Sequence, residues 1–174
     1  MVEQNVILIG FMGVGKTSLG KKLARKLELD FVDTDEIIEQ REGKTISVIF
    51  EQQGEGYFRN LELNLIDELL KEKGKSESKV ISVGGGLPIY NGLSDKLNAL
   101  GVTIYLQRPA KELFNRLVNA KEQRPLVKKL KEDELLSYIE NTLEIREPVY
   151  KQAHFVLDRT QQEVNTILKI LEEA

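Results

Sequence analysis

The 174-residue sequence contains no cysteine, which excludes disulfides and thiolate metal sites and suits a reducing cytoplasm. It has a single histidine, His154, which reads as structural or peripheral, since no second histidine or cysteine stands ready to complete a metal site. No apolar run is long enough to span a bilayer. A basic excess is missing as well. The formal net charge is −3, so no broad nucleic-acid or membrane surface is expected, and any basic site must be local. Internal repeats, low-complexity tracts and linkers are absent. The first strand begins within a few residues of the N-terminus, so neither a signal nor a transit peptide is expected.

What is present alternates between strand and helix. Short branched apolar runs at Val6–Ile9, Asp30–Asp33, Lys79–Val83, Val102–Leu106 and Phe155–Leu157 read as strands. Between them lie helical patterns. Leu19, Leu23 and Leu27 recur four residues apart. Glu36–Arg41 is stopped by Gly43, and Thr45 or Ser47 caps a piece carrying Ile46, Ile49 and Phe50. Gly54–Lys73 carries Phe58, Leu61, Leu65, Leu69 and Leu70 and ends at Gly74. Helices are expected again over Pro88–Leu100, over Ala110–Val118 and along Leu135, Ile139 and Leu143. A last one follows a capping box of Thr160 with Glu163. This alternation predicts one α/β domain over residues 1–174, a five-stranded parallel sheet with helices on both faces. The charged, proline-marked stretch around Lys121–Glu134 predicts an exposed mobile loop, with a lid over about 119–131.

The stretch that organises the chain is Gly10-Phe11-Met12-Gly13-Val14-Gly15-Lys16-Thr17-Ser18. It fits Gly-x-x-x-x-Gly-Lys-[Ser/Thr], the phosphate-binding P-loop, and it stands between a predicted strand and a predicted helix. Its glycines can turn successive N–H groups into one concavity, and the helix beginning near Lys16 adds its positive end. Gly13, Val14, Gly15, Lys16, Thr17 and Ser18 are therefore candidate nucleotide contacts. The Lys16 ammonium would meet the outer phosphates of ATP, and the Thr17 hydroxyl would ligate Mg2+.

A P-loop alone does not separate kinases from ATPases or switches. Four further features fall on loops expected at one rim of the sheet. Asp33-Thr34-Asp35 puts two carboxylates at a strand's carboxyl end: one could serve the magnesium shell, the other a substrate hydroxyl, and either could cap a helix. Arg59 and Glu62, three apart on a helix, fit an exposed surface pair by spacing alone, or a guanidinium held for an anionic substrate. Gly84-Gly85-Gly86 directly follows a buried strand and predicts a ligand-facing loop. Arg116, Arg124 and Arg146 complete the set, with Arg124 placed in the lid, where closure would bring it onto the transferring phosphate. Arg116 and Arg146 fit solvated helix faces equally well.

Taken in order, the P-loop, Phe31-Val32-Asp33-Thr34-Asp35, Gly54-Glu55-x-x-Phe58-Arg59-x-x-Glu62, the triple glycine, Arg124-Pro125-Leu126 and Arg146-x-x-x-Tyr150 resemble the shikimate kinases. The resemblance spans nearly the whole chain. It implies the P-loop three-layer sandwich of the nucleoside monophosphate kinase-like fold with a mobile lid, and transfer of the γ-phosphoryl group of ATP to the 3-hydroxyl of shikimate. On that resemblance Asp35 would take the substrate hydroxyls, Arg59 and Arg146 the carboxylate, and Gly84, Gly85 and Gly86 would line the same site. Lys16 and Arg124 would face the transferring phosphate. Thr17 would ligate Mg2+ directly and Asp33 through water. Arg116 would lie over the adenine, with the Asp158-Arg159-Thr160 loop, and hence Arg159, bordering it. The lid sequence outside Arg124-Pro125-Leu126 is not diagnostic, and His154 departs from the acidic residue often found there. A monomer acting on a small molecule, with no nucleic-acid or membrane partner, is expected.

Two other readings make distinct demands. Another small-molecule P-loop kinase, for gluconate or a nucleoside monophosphate, would differ in its acceptor contacts. A GTP-dependent switch would carry Asn-Lys-x-Asp after a strand, and none is present.

Overall fold

The structure, a computed structural model, describes residues 4–119 and 130–173. Five parallel strands form one sheet: β1 (Asn5–Ile9), β2 (Asp30–Asp33), β3 (Lys79–Ser82), β4 (Gly101–Leu106) and β5 (Phe155–Leu157). Their spatial order is β2-β3-β1-β4-β5. The chain leaves β1 towards one side of the sheet and returns on the other, so β1 lies between β3 and β4, with Leu8 opposite Ser82 and Ile104. A reversal of strand order opens a crevice at the carboxyl ends of the strands, where ligands of such sheets bind.

Among the described residues seven α-helices cover the sheet: α1 (Lys16–Leu27), α2 (Thr34–Glu42), α3 (Ile46–Glu72), α4 (Leu93–Leu100), α5 (Ala110–Asn119), α6 (Glu132–Tyr150) and α7 (Val164–Glu173). Because successive strand side chains alternate in direction, β1 feeds both faces. Val6 and Leu8 pack with Leu23 of α1, Leu113 and Leu117 of α5, Leu135 and Ile139 of α6, and Ile167 of α7. Ile7 and Ile9 pack with Ile66 of α3, Leu93 and Leu97 of α4, and Tyr150. A third cluster, Ile38, Ile49, Phe58 and Leu65, joins α2 to α3. Each of these aliphatic side chains contributes about 1.5–3 kcal/mol by leaving water. They fix the sheet on which the loops stand.

Three expectations need correction. The segment Pro88–Leu100 is not one helix: a 3-10 turn over Leu87–Ile89 precedes α4, and Gly92 between them takes φ 69°. The two helical pieces expected around Gly54 run on as α3, with a kink where Gly54 has φ 81° and ψ 171°. Thr160 does not cap the last helix. Its N–H and hydroxyl both donate to Asp158, which forms a capping box with Gln161 on the 3-10 turn Arg159–Gln161. The Glu163 N–H that a Thr160 cap would receive donates instead to the Gln161 carbonyl at 2.9 Å.

Candidate active site

The loops after β1, β2 and β3 converge at the carboxyl rim of the sheet around a cavity of about 270 Å³. Its walls are the P-loop, Asp33, Asp35 and Ser82–Gly85. In the P-loop, Gly13 and Gly15 take φ 79° and 111°, and α1 starts directly at Lys16. The Lys16 ammonium spans the loop from within, donating to the carbonyls of Gly10 at 2.7 Å and Phe11 at 3.1 Å. Arg116, one face of α5, reaches back to the same loop and donates to the carbonyls of Val14 at 2.7 Å and Gly13 at 3.2 Å. Burial and the nearby Arg108 lower the Arg116 pKa, against the pull of Glu112. Arg116 is thus no freely solvated helix charge.

The two aspartates divide at the start of α2. Asp33 caps the helix, its Oδ1 accepting from the Asp35 N–H at 3.1 Å, while its Oδ2 accepts from the Thr17 hydroxyl at 2.9 Å. The side chain of Asp35 caps nothing and lines the cavity. Burial first, then the Asp33 charge, push its carboxyl up to about 6, although Lys16 pulls the other way. Thr34 between them is fully buried and accepts from the Gly84 N–H at 3.3 Å, joining the β2 loop to the triple glycine.

Arg59 and Glu62 do not form an exposed surface pair. The Glu62 side chain is 1% exposed and the Arg59 side chain 12%. Arg59 Nη1 donates to Glu62 Oε2 at 2.5 Å, and Nε and Nη2 donate to Glu55 Oε1 at 3.2 and 3.1 Å. Burial pushes the Glu62 carboxyl up to about 7 against the pull of Arg59. The burial follows from sheet order: β2 and β3 are neighbours, so α3 lies under their loops and turns this face inward. Glycine leaves room for these side chains in the loop above. A Cβ at Gly86 would lie 2.6 Å from Arg59 Nη2, and one at Gly84 would lie 2.9 Å from Asp35 Oδ1 and 3.2 Å from Glu62 Oε1. Those two carboxylate oxygens are buried with no hydrogen-bond partner, so the site presents unsatisfied acceptors beside a guanidinium. Such a set suits a small anion that also carries hydroxyls.

Comparison with known proteins identifies the lineage of this site. The family profile for shikimate kinase matches residues 12–174. The chain belongs to the shikimate kinase family. A shikimate kinase of Bacteroides fragilis is 43% identical over 92% of this chain and 90% of its own length. One of Clostridium botulinum is 42% identical over 94% and 92%. Among solved structures, the shikimate kinase of Bacteroides thetaiotaomicron superposes with a TM-score of 0.88 at 39% identity, covering 97% of this chain and 98% of that one. The enzyme of Acinetobacter baumannii, solved in complex with shikimate, gives 0.86 at 31% identity over 98% and 93%.

Of the residues singled out in the sequence, Gly13, Gly15, Lys16, Thr17, Ser18, Asp33, Asp35, Gly84 and Gly85 line the one cavity, and Val14 is buried within its loop. Arg59 stands against Gly86, and Arg146 of α6 has its guanidinium 5.9 Å from the ring of Phe11 in the P-loop. Arg159 is paired with Glu112 of α5 at 3.2 Å. Arg124 and most of the expected lid lie outside the described residues. His154 is a structural residue: its Nδ1 accepts from the Thr103 N–H at 3.1 Å, and its own N–H donates to the Thr103 hydroxyl at 3.0 Å. Sequence reasoning passed over Thr34 and Glu112. Glu112 bridges Arg108 and Arg159, and only its four-residue spacing from Arg108 and Arg116 could have marked it.

Proposed function

We infer that this chain transfers the γ-phosphoryl group of ATP to the 3-hydroxyl of shikimate, giving shikimate 3-phosphate and ADP, a step towards chorismate and the aromatic amino acids. The observation that carries this reading is the meeting of Asp35 and Arg59 around the triple glycine, in the wall shared with Lys16 and Thr17. An acceptor whose carboxylate is forked by Arg59 and Arg146 would have a hydroxyl beside Asp35. Gly84, Gly85 and Gly86 line its path because no side chain intrudes there.

The roles follow from that placement. The N–H groups from Gly13 to Ser18, with Lys16, hold the outer phosphates; Arg116 and Arg159 flank the adenine. The Thr17 hydroxyl would hold Mg2+, with Asp33, already paired with Thr17, helping to hold it through water. Among the described residues no group of three or more His, Cys, Asp or Glu could bind a metal ion alone, and a hydroxyl with phosphate oxygens and water is the usual Mg2+ set beside a nucleotide. Mg2+ held there would supply charge that offsets the phosphates. Asp35 orients the 3-hydroxyl and takes its proton as that oxygen bonds to the γ-phosphorus and the bond to the β,γ-bridging oxygen breaks. A carboxyl raised to about 6 is better matched to that task than an ordinary one. Arg124 would add charge stabilisation from the lid. Most of the acceleration comes from positioning and electrostatics.

The chain is proposed to act as a single domain and a cytoplasmic monomer; among the described residues no helix is long and apolar enough to cross a membrane. An ATP-coupled assay across shikimate, gluconate and nucleoside monophosphates tests the acceptor. Turnover is expected with shikimate alone; comparable turnover with another acceptor overturns the assignment.

A further inference from the structure

Tyr150, at the end of α6, is fully buried, and its hydroxyl donates to the Gly85 carbonyl at 2.5 Å, across 65 residues of sequence. Burial raises its pKa, while the charge of Arg146 and a hydrogen bond from it act in the opposite direction. The phenol oxygen therefore donates to the triple-glycine loop and feels the charge of a guanidinium one helical turn away. Its ring is fixed as well. Tyr105 of β4 packs against it with centroids 5.0 Å apart, and the Tyr105 hydroxyl is itself held by Glu147 at 3.2 Å. Glu147 accepts in addition from Gln107 at 3.0 Å.

Both partners of Tyr150 abut the P-loop. A Cβ at Gly85 would lie 3.1 Å from the Gly10 carbonyl and 3.4 Å from the Met12 nitrogen, and Arg146 stands over Phe11. A buried tyrosine is satisfied by one hydrogen bond at its hydroxyl. Here one oxygen is bonded to the triple-glycine loop and stands within reach of the Arg146 charge, and each of these carries a group that faces the acceptor.

We propose that Tyr150 is a positioning residue for acceptor binding: its hydroxyl fixes the Arg146 guanidinium and the Gly85 peptide relative to one another, and so sets where the acceptor carboxylate meets the clamp. The proposal rests on the reading of Arg146 as part of that clamp. Tyr150 touches neither substrate.

Tyr150→Phe keeps the ring against Tyr105 and removes only the oxygen. The KM for shikimate should rise about ten- to a hundred-fold, the range of a lost hydrogen bond to a charged group, with the KM for ATP and kcat nearly unchanged. A structural role alone would instead lower the Tm and leave the KM for shikimate where it was; that result overturns the proposal. In an Arg146→Lys background, Tyr150→Phe should add little, because the two act as one unit; full additivity also overturns it. Arg146→Ala separates the two layers. If it leaves the KM for shikimate unchanged, the clamp reading fails and the proposal falls with it. If it raises that KM while Tyr150→Phe does not, only the inference about Tyr150 is wrong.

Discussion

The Arg59 guanidinium donates to Glu62, a carboxylate that is 1% exposed, and both stand directly beneath the triple-glycine loop. A charge pair so placed is held in one geometry before any substrate arrives, which is what a carboxylate clamp needs. Arg59→Ala should weaken shikimate binding by about ten-fold or more and leave ATP binding nearly unchanged. Calorimetric titration of each ligand checks this, and the opposite pattern would move Arg59 to the nucleotide side.

Gly86→Ala should act on the same clamp without removing a charge. The new methyl would stand 2.6 Å from Arg59 Nη2, and Arg59 cannot swing aside without breaking its bonds to Glu55 and Glu62. The expected outcome is a raised KM for shikimate with the KM for ATP unaltered. Equal KM values in wild type and variant would mean that the guanidinium is less firmly held than its partners imply.

Asp33 and Thr17 are joined at 2.9 Å, so a change at one is felt at the other. Asp33→Asn keeps the size of the side chain but removes its charge. It should raise the Mg2+ concentration needed for half-maximal activity, and saturating Mg2+ should restore most of the turnover. A loss that Mg2+ does not restore would reassign Asp33 to acceptor chemistry.

Asp35 links activity to stability. Its folded pKa, about 6, lies above the ordinary 3.8, so the folded state binds more protons than the unfolded one over that interval. Its contribution to stability is fully present below about pH 4 and is lost as pH rises through about 6, an effect of up to about 3 kcal/mol. Asp35→Asn should therefore raise the Tm by several degrees at pH 8 and by little at pH 4. The same variant should lose about a hundred- to ten-thousand-fold in phosphoryl transfer. A Tm difference that does not depend on pH would contradict the burial of this charge.

How much of this was legible in the sequence depended on how local each feature is. The P-loop and Asp33-Thr34-Asp35 are contiguous, and each follows a strand that its own residues predict, so sequence alone located them. The burial of Glu62 was not legible. Spacing three residues from Arg59 fits a surface pair equally well, and only the adjacency of β2 and β3 turns that helix face inward. Ile66, fully buried on α3, was missed beside the expected stripe for the same reason, since α3 packs against both the sheet and α2. The bond between Tyr150 and Gly85 joins positions that no local pattern relates. Before the last helix, Thr160 is drawn into a separate 3-10 turn capped by Asp158, and the Glu163 N–H it was expected to receive goes to the Gln161 carbonyl, an arrangement that spacing rules do not foresee.

The central claim is tested most directly by 31P NMR of the products formed from ATP, Mg2+ and shikimate. The account predicts ADP and a phosphate monoester on the 3-hydroxyl in equal amounts, with no phosphate released when shikimate is left out. Release of inorganic phosphate without any shikimate phosphoester, or a phosphoester on a different hydroxyl, would contradict the placement of the acceptor between Asp35 and Arg59.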